Sequence, residues 1–291
     1  MNIIIHGIGL QKEFVPYIEQ LFDTLDAREI SFSLTESFSK SLRKIDFDTK
    51  GFQVMSKKPS LSGIDFIVSV GGDGTLLDTV CLVGKTEIPI IGINTGRLGF
   101  LATVAKEDIE KTVSGLKDGK YSIESRSLLS LESDHMLFNG INFGLNEFTI
   151  HKRDTSSMIT VHTYINGQYL NSYWADGLIV ATPTGSTGYS LSCGGPLITP
   201  GARNFVISPV SPHNLNVRPI VVSDESEISF EIEGRSEKFL ISLDSRSTAI
   251  DASIKLSVKK AEFSAKLVKF ADYSYFDTLR HKLNWGFDMR N

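Results

Sequence analysis

The chain of 291 residues has little cysteine, no basic excess and no long apolar run. Its two cysteines, Cys81 and Cys193, cannot build a disulfide framework, and neither stands in a CxxC or near histidines at ligand spacing. A reducing, cytoplasmic setting follows as the expectation. The formal net charge of −4 is the wrong sign for a general nucleic-acid binder. No apolar stretch approaches the ~18 residues of a membrane span. The opening MNIIIHGIGL is short, has no basic flank and reads as a first strand rather than a signal peptide. Internal repeats and low-complexity tracts are missing too. With 41% hydrophobic and 22% charged residues, an ordinary globular protein of one large or two smaller domains is expected.

The first hundred residues alternate between strand and helix signals. NIIIHG, IDFIVSV and IPIIGINTG are compact apolar runs rich in β-branched residues, as strands buried on both faces require. Phe14, Ile18, Leu21, Phe22 and Leu25 recur at helical spacing, with Pro16 near the helix start. TLLDTVCLVG reads as a helix, and ISFSLTESF alternates like a strand. This β-α-β order predicts a parallel sheet flanked by helices. After the helical EDIEKTVSGLKDGKY the pattern changes. From about Ser127 to Phe270 nearly every signal is a strand, and Asn166-Gly167 divides two alternating runs as a hairpin turn does. Helical spacing returns at Phe276, Leu279 and Leu283. The reading is an α/β domain followed by an all-β domain, with the last helix packing back on one of the two.

Three stretches carry chemistry. In SVGGDGTLLD, residues 69–78, Gly71, Gly72 and Gly74 surround Asp73 between a strand and a helix. Such a turn aims free backbone N–H groups at one spot, the helix dipole favours an anion there, and glycine lets it come close. A phosphate is the fitting visitor. Asp73 fits if a hydroxyl sits beside the phosphates and gives it a proton, or if it helps hold magnesium. The stretch matches neither GxGxxG nor the P-loop. The second, DGLIVATPTGSTGYSLSCGGP at 176–196, sets hydroxyls, glycines and one aromatic ring after an apolar strand, which suits sugar hydroxyls, phosphates and a flat base. In the third, GLNEFTIHK, Asn146 and Glu147 pair an amide with a carboxylate at a strand start.

With GINTGRLGFL at 92–101, SPHNLNVRPIVV at 211–222 and the terminal LRHKLNWG, these stretches resemble the NAD kinase family over most of the chain. GGDGT alone is shared with diacylglycerol and sphingosine kinases; the TPTGSTGYS loop beside it is the specific sign. The resemblance implies transfer of the γ-phosphate of ATP to the 2′-hydroxyl of the adenosine ribose of NAD. It implies Asp73 as general base and Gly71, Gly72, Gly74 and Thr75 as the phosphate-side turn. NAD would be bound by Asp73, Gly74, Phe100, Asn146, Glu147, Asp176, Thr187, Gly188, Tyr189, Ser190, Leu191, Ser192 and Arg246. Tyr189 would lie beside the bases and Asp176 near the nicotinamide end. The resemblance further implies a Rossmann-like α/β domain over 1–102 and 271–291 and a β-sandwich domain over 103–270, with the C-terminal helix returning to the first domain and the site between the two domains. A divalent ion, Mg2+ or Mn2+, is expected with ATP, and no residue is assigned as a metal ligand. Partners are NAD, ATP and further copies in a homodimer or homotetramer, with no nucleic acid and no membrane. Gly188 and Cys193 stand where the family usually has alanine, Arg246 where it has glutamine, and Trp174 where some members place an arginine that disfavours NADH. Arg97 and His213 lie in family-like segments. A lipid kinase sharing GGDGT is the alternative enzyme, disfavoured by the second loop and by the missing membrane-binding helix. A non-catalytic NAD(P)-binding protein is the other, disfavoured by the intact Asp73.

Overall fold

The computed structural model describes residues 1–56, 60–96, 99–153, 157–271 and 273–285. Arg97 and Gly286 lie outside the described residues. The chain forms two compact units, Met1–Glu124 with Ala265–Asn291, and Ser125–Ser264.

In the first unit the apolar runs become parallel strands in the order Ser31–Leu34, Asn2–Gly7, Phe66–Val70, Ile90–Asn94, with Leu267 beside Ile90. Phe66–Val70 and Ile90–Asn94 are buried at every position, which explains why each carries a single polar side chain, Ser69 and Asn94. Helix Val15–Ala27 carries its proline in the first turn and buries Ile18, Leu21, Phe22 and Leu25, the residues the spacing predicts. One segment differs from its sequence reading. ISFSLTESF is strand only over Ser31–Leu34, and Glu36 opens a helix to Lys44. Thr35 caps that helix by accepting the Phe38 N–H, an outcome that alternation alone conceals. Helix Ile109–Lys117 buries Ile109, Val113 and Leu116 in the same core as these strands. The unit boundaries accordingly fall at 124/125 and 264/265 rather than at 102/103 and 270/271.

The second unit is almost entirely antiparallel. One sheet runs Ile220–Ser223, Asn204–Val210, Gly177–Ala181, Glu147–Lys152, Lys238–Leu243, Arg246–Asp251. Gln168–Ala175, Ile159–Ile165, Ile228–Glu233 and Leu256–Val258 form a second run of pairs. Both sets contribute to one core, which joins Phe148, Ile150, Phe205 and Phe239 with Val161, Phe230 and Val258. The hairpin turn sits at Asn166 and Gly167, whose φ values of 51° and 77° are what a two-residue hairpin loop needs. Among the described residues no helix is long and apolar enough to cross a membrane.

Candidate functional site

The glycine–aspartate turn lies where the buried strand Phe66–Val70 ends and helix Asp73–Val83 begins. Gly72 is the N-cap, and no side chain caps this end; the Thr75 N–H turns back to Gly72 O at 3.1 Å, and among the described residues the N–H groups of Asp73 and Gly74 have no such partner. The glycines divide by role. A Cβ on Gly71 would fall 2.2 Å from Oγ1 of buried Thr75, so position 71 is set by packing inside the protein. A Cβ on Gly72 or Gly74 would meet nothing within 4 Å. Among the described residues the packing makes no demand for glycine at 72 and 74, and both positions are exposed.

Asp73 is held from a distance in sequence. Its Oδ2 accepts the N–H of Phe100 at 2.9 Å, and its Oδ1 accepts those of Leu101 and Ala102 at 3.1 and 3.0 Å. Gly99 permits this approach, because a Cβ there would lie 1.9 Å from Oδ1. A carboxylate offers about four acceptor directions, two per oxygen. Among the described residues three are taken, which leaves one on Oδ2. Phe100 therefore meets Asp73 through its backbone, a contact that the sequence does not announce.

The second unit gathers the other residues. Thr182 donates its hydroxyl to Leu145 O and its N–H to Asn146 O, tying the start of the loop to the start of strand Glu147–Lys152. Beneath this junction lies Asp244, the centre of the segment SLDSR at 242–246, to which the sequence reading gives no role of its own. Its carboxylate accepts the backbone N–H groups of Leu145, Asn146 and Glu147 at 2.9, 2.7 and 3.2 Å. Burial pushes Asp244 upward from the usual carboxylate range, while those three donors and Arg246 pull it down. Glu147 is raised to about 8, first by burial and then by the charge of Asp244. Its Oε2 is enclosed without a hydrogen-bond partner, and Gly188 passes so close that a Cβ there would sit 3.3 Å from it. A pKa of about 8 keeps Glu147 protonated at neutral pH.

Thr187 and Gly188 lead into the short helix Tyr189–Ser192. Tyr189 stays 40% exposed and stacks one face on His151, with ring centroids 5.5 Å apart and planes 14° apart. Leu191 is half-buried and Ser192 exposed. Ser190 turns the other way: its hydroxyl is fully buried and paired with Ser208 Oγ at 2.9 Å, so it anchors the loop from inside. Cys193 is half-buried, and burial pushes its thiol up, away from a reactive thiolate. Asp176 forms an ion pair with Lys152 at 2.5 Å. Arg246 donates to Ile141 O at 2.6 Å and to Phe143 O, which engages its guanidinium with the backbone of its own unit. Trp174, 45% exposed, packs on His213 with centroids 4.3 Å apart. Among the described residues no group of three or more histidine, cysteine or acidic side chains is placed to hold a metal ion.

A glycine turn at a helix start, a carboxylate fixed by three backbone donors, and a glycine–hydroxyl loop displaying an aromatic face are features of a nucleotide-binding protein. Comparison with known proteins agrees with that class. The ATP-NAD kinase N-terminal domain family matches residues 11–121, and the ATP-NAD kinase C-terminal domain family matches residues 145–270. The NAD kinase of Cytophaga hutchinsonii is 53% identical over 292 residues, covering 100% of both chains. That of Flavobacterium psychrophilum is 45% identical, again over 100% of both. The crystal structure of yeast NADH kinase complexed with NADH is similar in fold, with a TM-score of 0.86 at 20% identity over 100% of this chain and 89% of that one. An NAD kinase from Archaeoglobus fulgidus in complex with ATP gives a TM-score of 0.76 at 28% identity over 98% and 99%. The chain belongs to the ATP-NAD kinase family.

Proposed function

We propose that this protein is an NAD kinase, transferring the γ-phosphate of ATP to the 2′-hydroxyl of the adenosine ribose of NAD and releasing NADP and ADP. Full-length relatives named NAD kinase and the match to both family domains support the activity. The observation that carries the mechanism is the Asp73 carboxylate, fixed by three backbone donors with an acceptor direction left on Oδ2.

The ribose hydroxyl is a poor nucleophile. Asp73 takes its proton as the oxygen attacks the γ-phosphorus, and ADP leaves from the opposite side. A weak base suffices, because in a loose transition state the proton leaves late. The open turn at Gly72–Gly74 supplies N–H groups toward the phosphates. In the second unit, Asn146, Glu147 and the loop from Thr187 to Ser192 recognise the dinucleotide, with Tyr189 presenting a flat face to a base. Asp176, which pairs with Lys152, contacts the dinucleotide near its nicotinamide end. A divalent ion, Mg2+ or Mn2+, neutralises phosphate charge when it arrives bound to ATP. Magnesium is commonly held by substrate phosphates with one or two carboxylates, and ATP would bring the phosphates. A Rossmann-like first unit, a sandwich-like second unit, a cytoplasmic setting and assembly as a homodimer or homotetramer complete the proposal.

Asp73→Asn tests it. Turnover should fall by about 10²- to 10⁴-fold while NAD binding, followed by calorimetry, stays within a few-fold. Retained turnover would remove Asp73 from the base role.

A further inference from the structure

Strand Glu147–Lys152 alternates its side chains between two faces. Phe148 and Ile150 point into the core, so Glu147, Thr149 and His151 share the opposite face. The loop lies over that face at both ends, with Gly188 against Glu147 and Tyr189 against His151. His151 is therefore the counterpart of Glu147 at the far end of one floor.

Three observations show that the imidazole is seated rather than incidental. Its cross-strand partner is Gly177, where a Cβ would lie 2.7 Å from Nδ1, so the opposing strand leaves the ring its space. The ring is half-buried and lies nearly parallel to Tyr189, with centroids 5.5 Å apart and planes 14° apart. Burial is the main influence on it and lowers its pKa, so a neutral ring faces Tyr189. The tyrosine in turn is held by its neighbour, since Ser190 is buried and bonded to Ser208. One face of Tyr189 is backed and the ring remains 40% exposed.

We propose that His151 is a positioning residue for nucleotide recognition, a plate that holds the Tyr189 ring ready to stack on the planar base of the dinucleotide. The inference rests on the NAD kinase reading, in which Tyr189 meets a base. It assigns His151 no contact with the reacting atoms. A pre-set ring loses less freedom when the base arrives, so the benefit appears in binding.

The test combines calorimetric binding of NAD, AMP and nicotinamide mononucleotide with steady-state turnover for His151→Ala, His151→Phe, Tyr189→Ala and the double variant His151→Ala/Tyr189→Ala. His151→Ala should weaken NAD binding and raise its KM by about three- to tenfold, with kcat and the KM for ATP within about twofold of the wild type. His151→Phe should restore binding, because a flat ring is what the position supplies. In the double variant the histidine change should add nothing to Tyr189→Ala. The mononucleotide whose affinity falls identifies the stacked base. Unchanged NAD binding in His151→Ala, no rescue by phenylalanine, additive losses, or no loss with either mononucleotide would each overturn the proposal. Wild-type binding of NAD by Tyr189→Ala would instead overturn the role given to Tyr189, and the plate with it. A wild-type protein that forms no NADP yet shows the full binding pattern would refute the kinase reading and leave the stack standing.

Discussion

Replacing Glu147 by glutamine tests the buried carboxyl pair through the pH dependence of stability. The folded protein holds Glu147 at a pKa of about 8, against an ordinary value of 4.5. Between those values the folded carboxyl keeps its proton while the unfolded one has lost it. Folding then takes up a proton, so stability falls as pH rises, by up to about 1.4 kcal/mol per pH unit. The loss begins near pH 4.5 and is complete above pH 8, reaching at most about 5 kcal/mol across the window. Glutamine has nearly the same shape and no charge to bury, and it removes this slope. Urea unfolding of both proteins at pH 5, 6, 7, 8 and 9 measures the difference. Relative to the wild type, Glu147→Gln should gain stability steadily up to pH 8 and level off beyond. A constant offset is compatible with the reasoning, since the amide also lacks a partner for one buried atom. A difference that does not change with pH would refute it, and would mean that Glu147 is already ionised in the folded protein.

The glycines of the turn give two opposite expectations. Gly74→Ala adds a methyl where nothing lies within 4 Å, inside a helix where alanine is favoured by about 1 kcal/mol; the melting temperature should hold or rise while the KM for ATP climbs, and unchanged kinetics would refute a phosphate on that side. Gly99→Ala places a methyl 1.9 Å from Asp73 Oδ1. It should displace the carboxylate and lower kcat at least tenfold with little change in NAD binding, and wild-type kcat would show that the three-donor clamp is dispensable.

The elements most visible in the sequence are those with a simple physical pattern. Strands buried on both faces leave runs with a single polar side chain, such as FIVSV and IIGIN, and Asn166-Gly167 marks its turn because few other residues accept two positive φ values. Asp73 stands out because its glycines surround it. Less visible is anything that depends on which way a side chain turns. Ser190 and Tyr189 are adjacent in one polar loop, yet one anchors the loop from inside and the other faces out. Arg246 reads as a candidate ligand, while its guanidinium engages the carbonyls of Ile141 and Phe143 more than a hundred residues away in sequence. Asp244 and the N–H groups of Phe100 to Ala102 act through the backbone or across long separations, where no local pattern records them. His151 is the opposite case, because the period-two alternation of NEFTIHK by itself sets it on the face of Glu147.

The central claim is phosphate transfer to NAD. Purified protein should be incubated with NAD, ATP and magnesium, and NADP detected with a dehydrogenase that accepts only NADP. The account predicts a signal that requires all three components. Folded protein that binds NAD but forms no NADP under these conditions would contradict it.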